Sequence, residues 1–269
     1  MLRNLGMYFR LVGCDLRSQM TFRLSFWVDL FSTMVVNAAM FASLYLILER
    51  FGNIGGWGLG ELAFLYGLAE TSFGVMDMVF SGFDYDYFSS LVREGRLDQI
   101  LLRPVPPAVQ IMGHRFVLRR LGRILQGAAV WILSFFLVDI AWTPLKVLFL
   151  PVVLASQVVA MGALFIAGST LTIWTIQRVE AINILTYGGV ELMSYPASIY
   201  PRSLRVIFTY ILPFFFLSYY PALFFLDKTD PLGLPVWPPF LAPVVGCGML
   251  WLALRFWRYG LKHYQSTGS

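Results

Sequence analysis

Residues 89–107 read SSLVREGRLDQILLRPVPP. This is the most polar block in a very apolar chain, and it lies between two runs long enough to cross a membrane. After Gly95, residues Leu97, Ile100 and Leu101 fall at i, i+3 and i+4, which predicts one apolar helical face. Arg96, Asp98 and Gln99 point elsewhere. Pro104, Pro106 and Pro107 then stop the helix, because proline lacks the backbone donor and clashes with the preceding turn. The expectation is a turn or two of amphipathic helix whose apolar face, left uncovered by its own chain, is offered to a partner.

Outward from this block, composition sets the class. Of 269 residues, 58% are hydrophobic and 13% are charged, against about 25% charged in a soluble domain. The chain is therefore predicted to be all-α and polytopic. The net charge of +5 is spread over span ends rather than gathered in a patch, which argues for membrane orientation and against nucleic acid. Two cysteines, Cys14 and Cys247, and two histidines, His114 and His263, offer no metal-ligand cluster. No nucleophile–base set stands out, so no catalytic residue is assigned. No GxxxxGK[ST] run occurs, so ATP and Mg²⁺, if used, bind a partner.

Residues 1–25 read as a helix lying on the membrane. Leu2, Leu5, Phe9, Val12 and Leu16 form the apolar side, beside a basic stripe of Arg3, Arg10 and Arg17. Each arginine near anionic lipid is worth about 1 kcal/mol, though a basic N-terminus that only orients the chain is an equal reading. The run from Phe26 lacks a small-residue cleavage pattern and is expected to be retained. Six spans are predicted, at about 26–48, 61–81, 109–140, 146–177, 180–200 and 239–261, with 26–269 forming one permease-like domain. Residues 202–226 are expected to form a broken hairpin re-entering from the outer side, since Pro213 and Pro221 bracket an aromatic run. With six spans, 15 Lys and Arg lie inside and 5 outside; with seven, the split is 13 to 7. The bias favours six, with both termini cytoplasmic.

Asp29 and Asn37 interrupt the first span, and of the polar residues within the spans Asn37, Glu70, Asp77 and Glu191 are singled out. A carboxylate there costs about 2.5–3.5 kcal/mol on insertion scales, so each must face protein or water. Glu70 and Asp77 are seven apart and share a face. They are candidates for a substrate path or proton site; the structural alternative is an inter-helix hydrogen bond at Glu70, with Asp77 already near the cytoplasmic headgroups. Gly188 and Gly189, beside Glu191, permit close helix approach.

The run Arg93, Glu94, Gly95, Leu97, Asp98, Leu101, Leu102, Arg103, Pro104, between the second and third spans, resembles the cytoplasmic coupling segment of type-2 ATP-binding-cassette export permeases. The similarity extends through the amphipathic N-terminus and the Pro/aromatic stretch before the last span. The resemblance implies a six-span subunit in the plasma (inner) membrane, without its own ATPase. It implies two permease subunits, homo- or heterodimeric, with first and fifth spans near a shared axis. It also implies two cytoplasmic ATPases receiving the segment 85–104, with Leu97, Ile100 and Leu101 in a groove and Arg96 or Arg103 paired to acidic residues. The function so implied is export of an amphiphilic, lipid-linked or drug-like compound by alternating access. The alternative is an ion- or proton-coupled secondary transporter or channel using Glu70, Asp77 and Glu191.

Overall fold

The computed structural model describes residues 2–21, 23–175, 180–229 and 238–266. It is 83% helical, and no strand occurs among the described residues. The chain is an all-α polytopic membrane protein. Among the described residues, five helices are long and apolar enough to cross a bilayer, and a bent pair passes the same test together.

Helix α1 (Leu2–Gln19) precedes α2 (Arg23–Phe51), α3 (Leu59–Val79) and the short polar-end helices α4 (Tyr85–Arg93), α5 (Arg96–Leu101) and α6 (Pro107–His114). Then come α7 (Leu121–Leu137), α8 (Pro144–Thr175) and α9 (Glu180–Met193). The chain ends with α10 (Arg202–Val206), α11 (Phe214–Leu217), α12 (Tyr219–Phe225) and α13 (Ala242–Lys262).

Helix α3 is the central post, buried along nearly its whole length. It runs antiparallel to α7, and spacing explains why they lie so close. Gly60, Gly67 and Gly74 recur every seven residues on α3. They face Leu137 with Val138, Trp131 and Ile124 respectively. With lipid as the alternative solvent, apolar area gives little net attraction between helices, so small residues that admit close packing decide who pairs. A Cβ at Gly67 would lie 2.5 Å from the Trp131 backbone nitrogen. Gly67→Val is therefore expected to cost about 1–3 kcal/mol or more, read as a lowered melting midpoint in detergent. Gly248→Val, where a Cβ meets nothing within 4 Å, is the control and leaves the midpoint unchanged.

The second tight pair is α8 with α13, which run parallel. A Cβ at Gly246 would fall 2.8 Å from the Ser156 carbonyl oxygen, and one at Gly260 would fall 2.6 Å from Thr170. Helix α2, about 43 Å long at 1.5 Å per residue, packs mainly on α7. Trp27, Phe31, Val36 and Leu46 along it are exposed.

The span predicted at 109–140 is not one helix. It divides into α6 and α7, with an extended backbone at Arg115 and a 3₁₀ turn at Leu118–Arg120. The backbone groups freed by the break are taken up by α1. Asp15 accepts from the Phe116 N–H at 2.8 Å, Gln19 accepts from the Leu118 N–H at 2.9 Å, and the Gln19 amide donates to the Phe116 carbonyl. Four apart, Asp15 and Gln19 stand on one face of α1, so the N-terminal helix braces the break. The predicted fifth helix, 180–200, likewise ends at Met193, because Pro196 cannot continue it and disfavours helix at Tyr195.

Residues 202–226 do not run straight. The α10 helix loosens into a π-helical turn at Ile207–Ile211, and the chain then bends by 68° between Arg202–Ile211 and Phe214–Phe225. Pro213, with no N–H to give, sits at that bend. Beyond it α11 and α12 are driven inward by their aromatics: Phe214, Phe215, Tyr219 and Phe225 are fully buried. Polar ties hold them. Gln157 donates to the Leu217 carbonyl at 2.8 Å, and Lys146 donates to the Phe225 carbonyl at 3.0 Å while ion-paired to Asp227 at 2.6 Å.

Candidate functional site

The polar end carries the first candidate site. Asp84 caps α4, accepting from the Asp86 and Tyr87 N–H groups, which starts the helix cleanly. Gly95 then turns the chain in the left-handed region (φ +67°), open to glycine at little cost, and α5 begins. Here the predicted apolar face is corrected. Leu97 is 0% exposed and Ile100 6%, both within the cluster that contains Phe83, Phe88, Ile111 and Trp257, and Leu101 packs against it. Leu97 and Ile100 cannot be a partner's handhold, and Leu101 is half-buried. A six-residue helix has too few internal hydrogen bonds to stand alone, so its apolar face is what anchors it to α4 and α6.

What the anchor presents is the next residue. Leu102 is 86% exposed, and Arg103, Pro104 and Pro106 are exposed around it. Beneath this knuckle the Gln110 amide donates to the Ile100 carbonyl at 3.1 Å and the Val105 carbonyl at 2.9 Å, so its backbone is stapled from inside. The knuckle is a firm apolar tip with a basic flank. Arg93, Glu94 and Arg96 are exposed nearby, and Arg96 pairs with Glu94 at 2.8 Å. Asp98 is engaged within the chain, accepting from the Ser266 hydroxyl at 2.7 Å. Leu102 stands in the quoted stretch but outside the i, i+3, i+4 pattern. The signal for it was its place as the last apolar residue before the proline fence.

Arg103 also touches His114 at 3.2 Å. Burial and this guanidinium hold the imidazole's pKa below its usual 6.5. The unfolded chain takes up the proton near that value and the folded chain only at lower pH. Stability from this corner is therefore complete above pH 6.5 and declines as pH falls below it. His114→Gln is expected to flatten the fall in melting midpoint between about pH 7 and about pH 5.5; an unchanged slope would remove His114 from that account.

The second site is a cleft of about 340 Å³ among α2, α3, α7 and α9. Asn37, Glu70 and Glu191, placed on three different helices, all line it, joined by Tyr66, Arg123 and Tyr187. Glu70 does not stand free: the Arg123 Nε and Nη2 donate to its two oxygens at 2.5 and 3.0 Å. The Arg123 guanidinium also lies 4.3 Å from the Phe73 ring centroid. Asn37 bonds within α2, donating to the Thr33 carbonyl, and the Tyr66 hydroxyl donates to the Asn37 carbonyl at 3.2 Å. Asp77 is not part of the cleft. It is fully buried and ion-paired with Arg120 at 2.7 Å. The two arginine partners, read from the sequence only as orienting charges, tie the middle and the polar end of α3 to the start of α7. At the N-terminus, Arg10 and Arg17 are exposed on α1, and the side chain of Arg3 lies outside those described.

Fold and sites together define the class: a polytopic, all-helical membrane protein with a polar cleft among its long helices and a stapled knuckle at one end. Compared with protein-family models, residues 34–268 match the family described as ABC-2 family transporter protein, and the chain belongs to that family. It is thus a membrane permease subunit of an ABC transporter, a subunit that works with a separate ABC ATPase. Neither the curated proteins nor the solved structures contain a match.

Proposed function

We propose that this chain is the permease of an exporter that moves an amphiphilic, lipid-linked or drug-like compound out of the cytoplasm across the plasma membrane. The observation that carries the reading is the exposed Leu102 tip, held by a stapled backbone and bordered by prolines. A leucine exposed in water lowers no energy of its own chain, whereas an apolar anchor in a partner's pocket is how a small contact transmits force. On this reading the knuckle faces the cytoplasm, as do both termini, and one ATPase grips it on each of two permeases.

The exposed apolar length of α2 supports a second permease as neighbour, with the cleft near the shared surface. ATP-driven closure of the ATPases pulls the knuckles and, through α5 and α6, shifts the balance between inward- and outward-open states. Exposed Arg10 and Arg17 favour anionic lipid at the cytoplasmic face. The test is purification of tagged chain in mild detergent, followed by uptake into inverted vesicles. Co-purification of an ABC ATPase with ATP-dependent uptake is expected. Uptake driven by an ion gradient, without ATP or an ATPase, would replace this reading with a secondary transporter.

A further inference from the structure

Resting on the exporter reading and narrowing its substrate, we propose that the cleft recognises an organic monocation carrying an apolar body, with Glu191 as its counter-ion. The argument is a charge count. Three ionisable groups of strong charge line the cleft: Glu70, Arg123 and Glu191. Glu70 and Arg123 cancel, two N–H groups of one donating to the two oxygens of the other. Arg123 has little left for an anion, since its guanidinium is also set against Phe73. Glu191 is exposed, and among the described residues its carboxylate has no hydrogen-bond or ion-pair partner; the residue is bonded through its backbone, its carbonyl accepting from the Ser194 N–H at 3.2 Å. The cleft therefore carries one uncompensated negative charge.

Its depth matters as much as its sign. Asn37 and Glu70 stand halfway along α2 and α3, so the opposing charge must come from something that enters the apolar layer. Tyr66 and Tyr187 add aromatic side chains to the lining, and a ring face attracts a cation and repels an anion of the same shape. Gly188, one residue from the tyrosine, would meet only its own helix if given a Cβ, so α9 leaves the approach to Glu191 clear. An anionic or phosphate-headed lipid fits this lining poorly; a protonated or quaternary amine fits it well.

The test uses the full chain in nanodiscs with two probes of matched shape and opposite charge, tetraphenylphosphonium and tetraphenylborate. Saturable tetraphenylphosphonium binding above protein-free discs is expected. Glu191→Gln should weaken it about tenfold or more, while Glu191→Asp keeps most of it and confirms that the fold tolerates change there. Tyr187→Leu should weaken it a few-fold. Equal binding of the anion, or undiminished binding by Glu191→Gln, overturns the proposal. So does absence of saturable binding, the result expected if a proton or a cation from a second permease already neutralises Glu191. These outcomes need no ATPase. A chain that captures an ATPase yet ignores tetraphenylphosphonium loses only the substrate class. One that binds the cation but never an ATPase loses the exporter reading and keeps the site.

Discussion

Leu102→Asp is expected to abolish capture of the ATPase while leaving the permease folded and inserted. The side chain is 86% exposed, so the substitution removes no packing from the chain itself. At a partner's pocket the same change deletes an apolar anchor and buries a carboxylate. That is an expected loss of about 2–4 kcal/mol of binding, roughly 30-fold or more. The contrast with its neighbours makes the result informative. Leu97→Asp puts a charge into a position that is 0% exposed, and the chain should then fail to fold at all. Leu101, half-buried against the same cluster, mixes the two effects and discriminates poorly. Co-purification measures the first outcome, and monodispersity in detergent measures the second.

The other large effect belongs to the Glu70–Arg123 pair. Arg123→Ala leaves Glu70, 2% exposed, as a buried carboxylate without its counter-charge. Breaking a buried pair from one side costs about 3–5 kcal/mol, whereas replacing both partners by apolar groups of like volume is close to neutral. The single variants Arg123→Ala and Glu70→Ala should therefore unfold well below the wild type, and Glu70→Leu/Arg123→Met should recover most of the loss. Recovery without transport would show that the pair also serves the cleft. No recovery would mean that the pair's hydrogen-bond geometry, and not its charge balance, holds α3 to α7.

Composition made the membrane class legible, because burying so little charge among so many apolar residues is possible only in a bilayer. The long spans α2, α3, α7, α8 and α13 could be read from run length alone. The break at 115–117 could not. It depends on Asp15 and Gln19, a hundred residues away, satisfying backbone groups that a local pattern assigns to a continuous helix. The same holds for the glycines at 60, 67 and 74: the seven-residue spacing is visible in the chain, but not which helix it meets.

At the knuckle, periodicity correctly placed Leu97, Ile100 and Leu101 on one face and could not say which side that face met. An amphipathic pattern reports that a face is covered, by this chain or by another. Burial in the chain's own core decided it, and the exposed tip we propose for the partner lies one residue on, at Leu102. The cleft had been half visible. Asn37, Glu70 and Glu191 were singled out as intramembrane polar residues, and the fold brings them together. That Glu70 is spent on Arg123 while Glu191 is not can be seen only once the helices are packed.

The most direct test of the central claim is site-specific cross-linking in the assembled complex, with Cys14 and Cys247 replaced by serine. A cysteine at position 102, joined through a short bifunctional reagent, should trap the ATPase in high yield, and one at position 97 should trap nothing. Trapping from neither, or from a cysteine on the exposed flank at Leu204 instead, would contradict the proposal that the knuckle is the point where ATP hydrolysis is transmitted to the membrane.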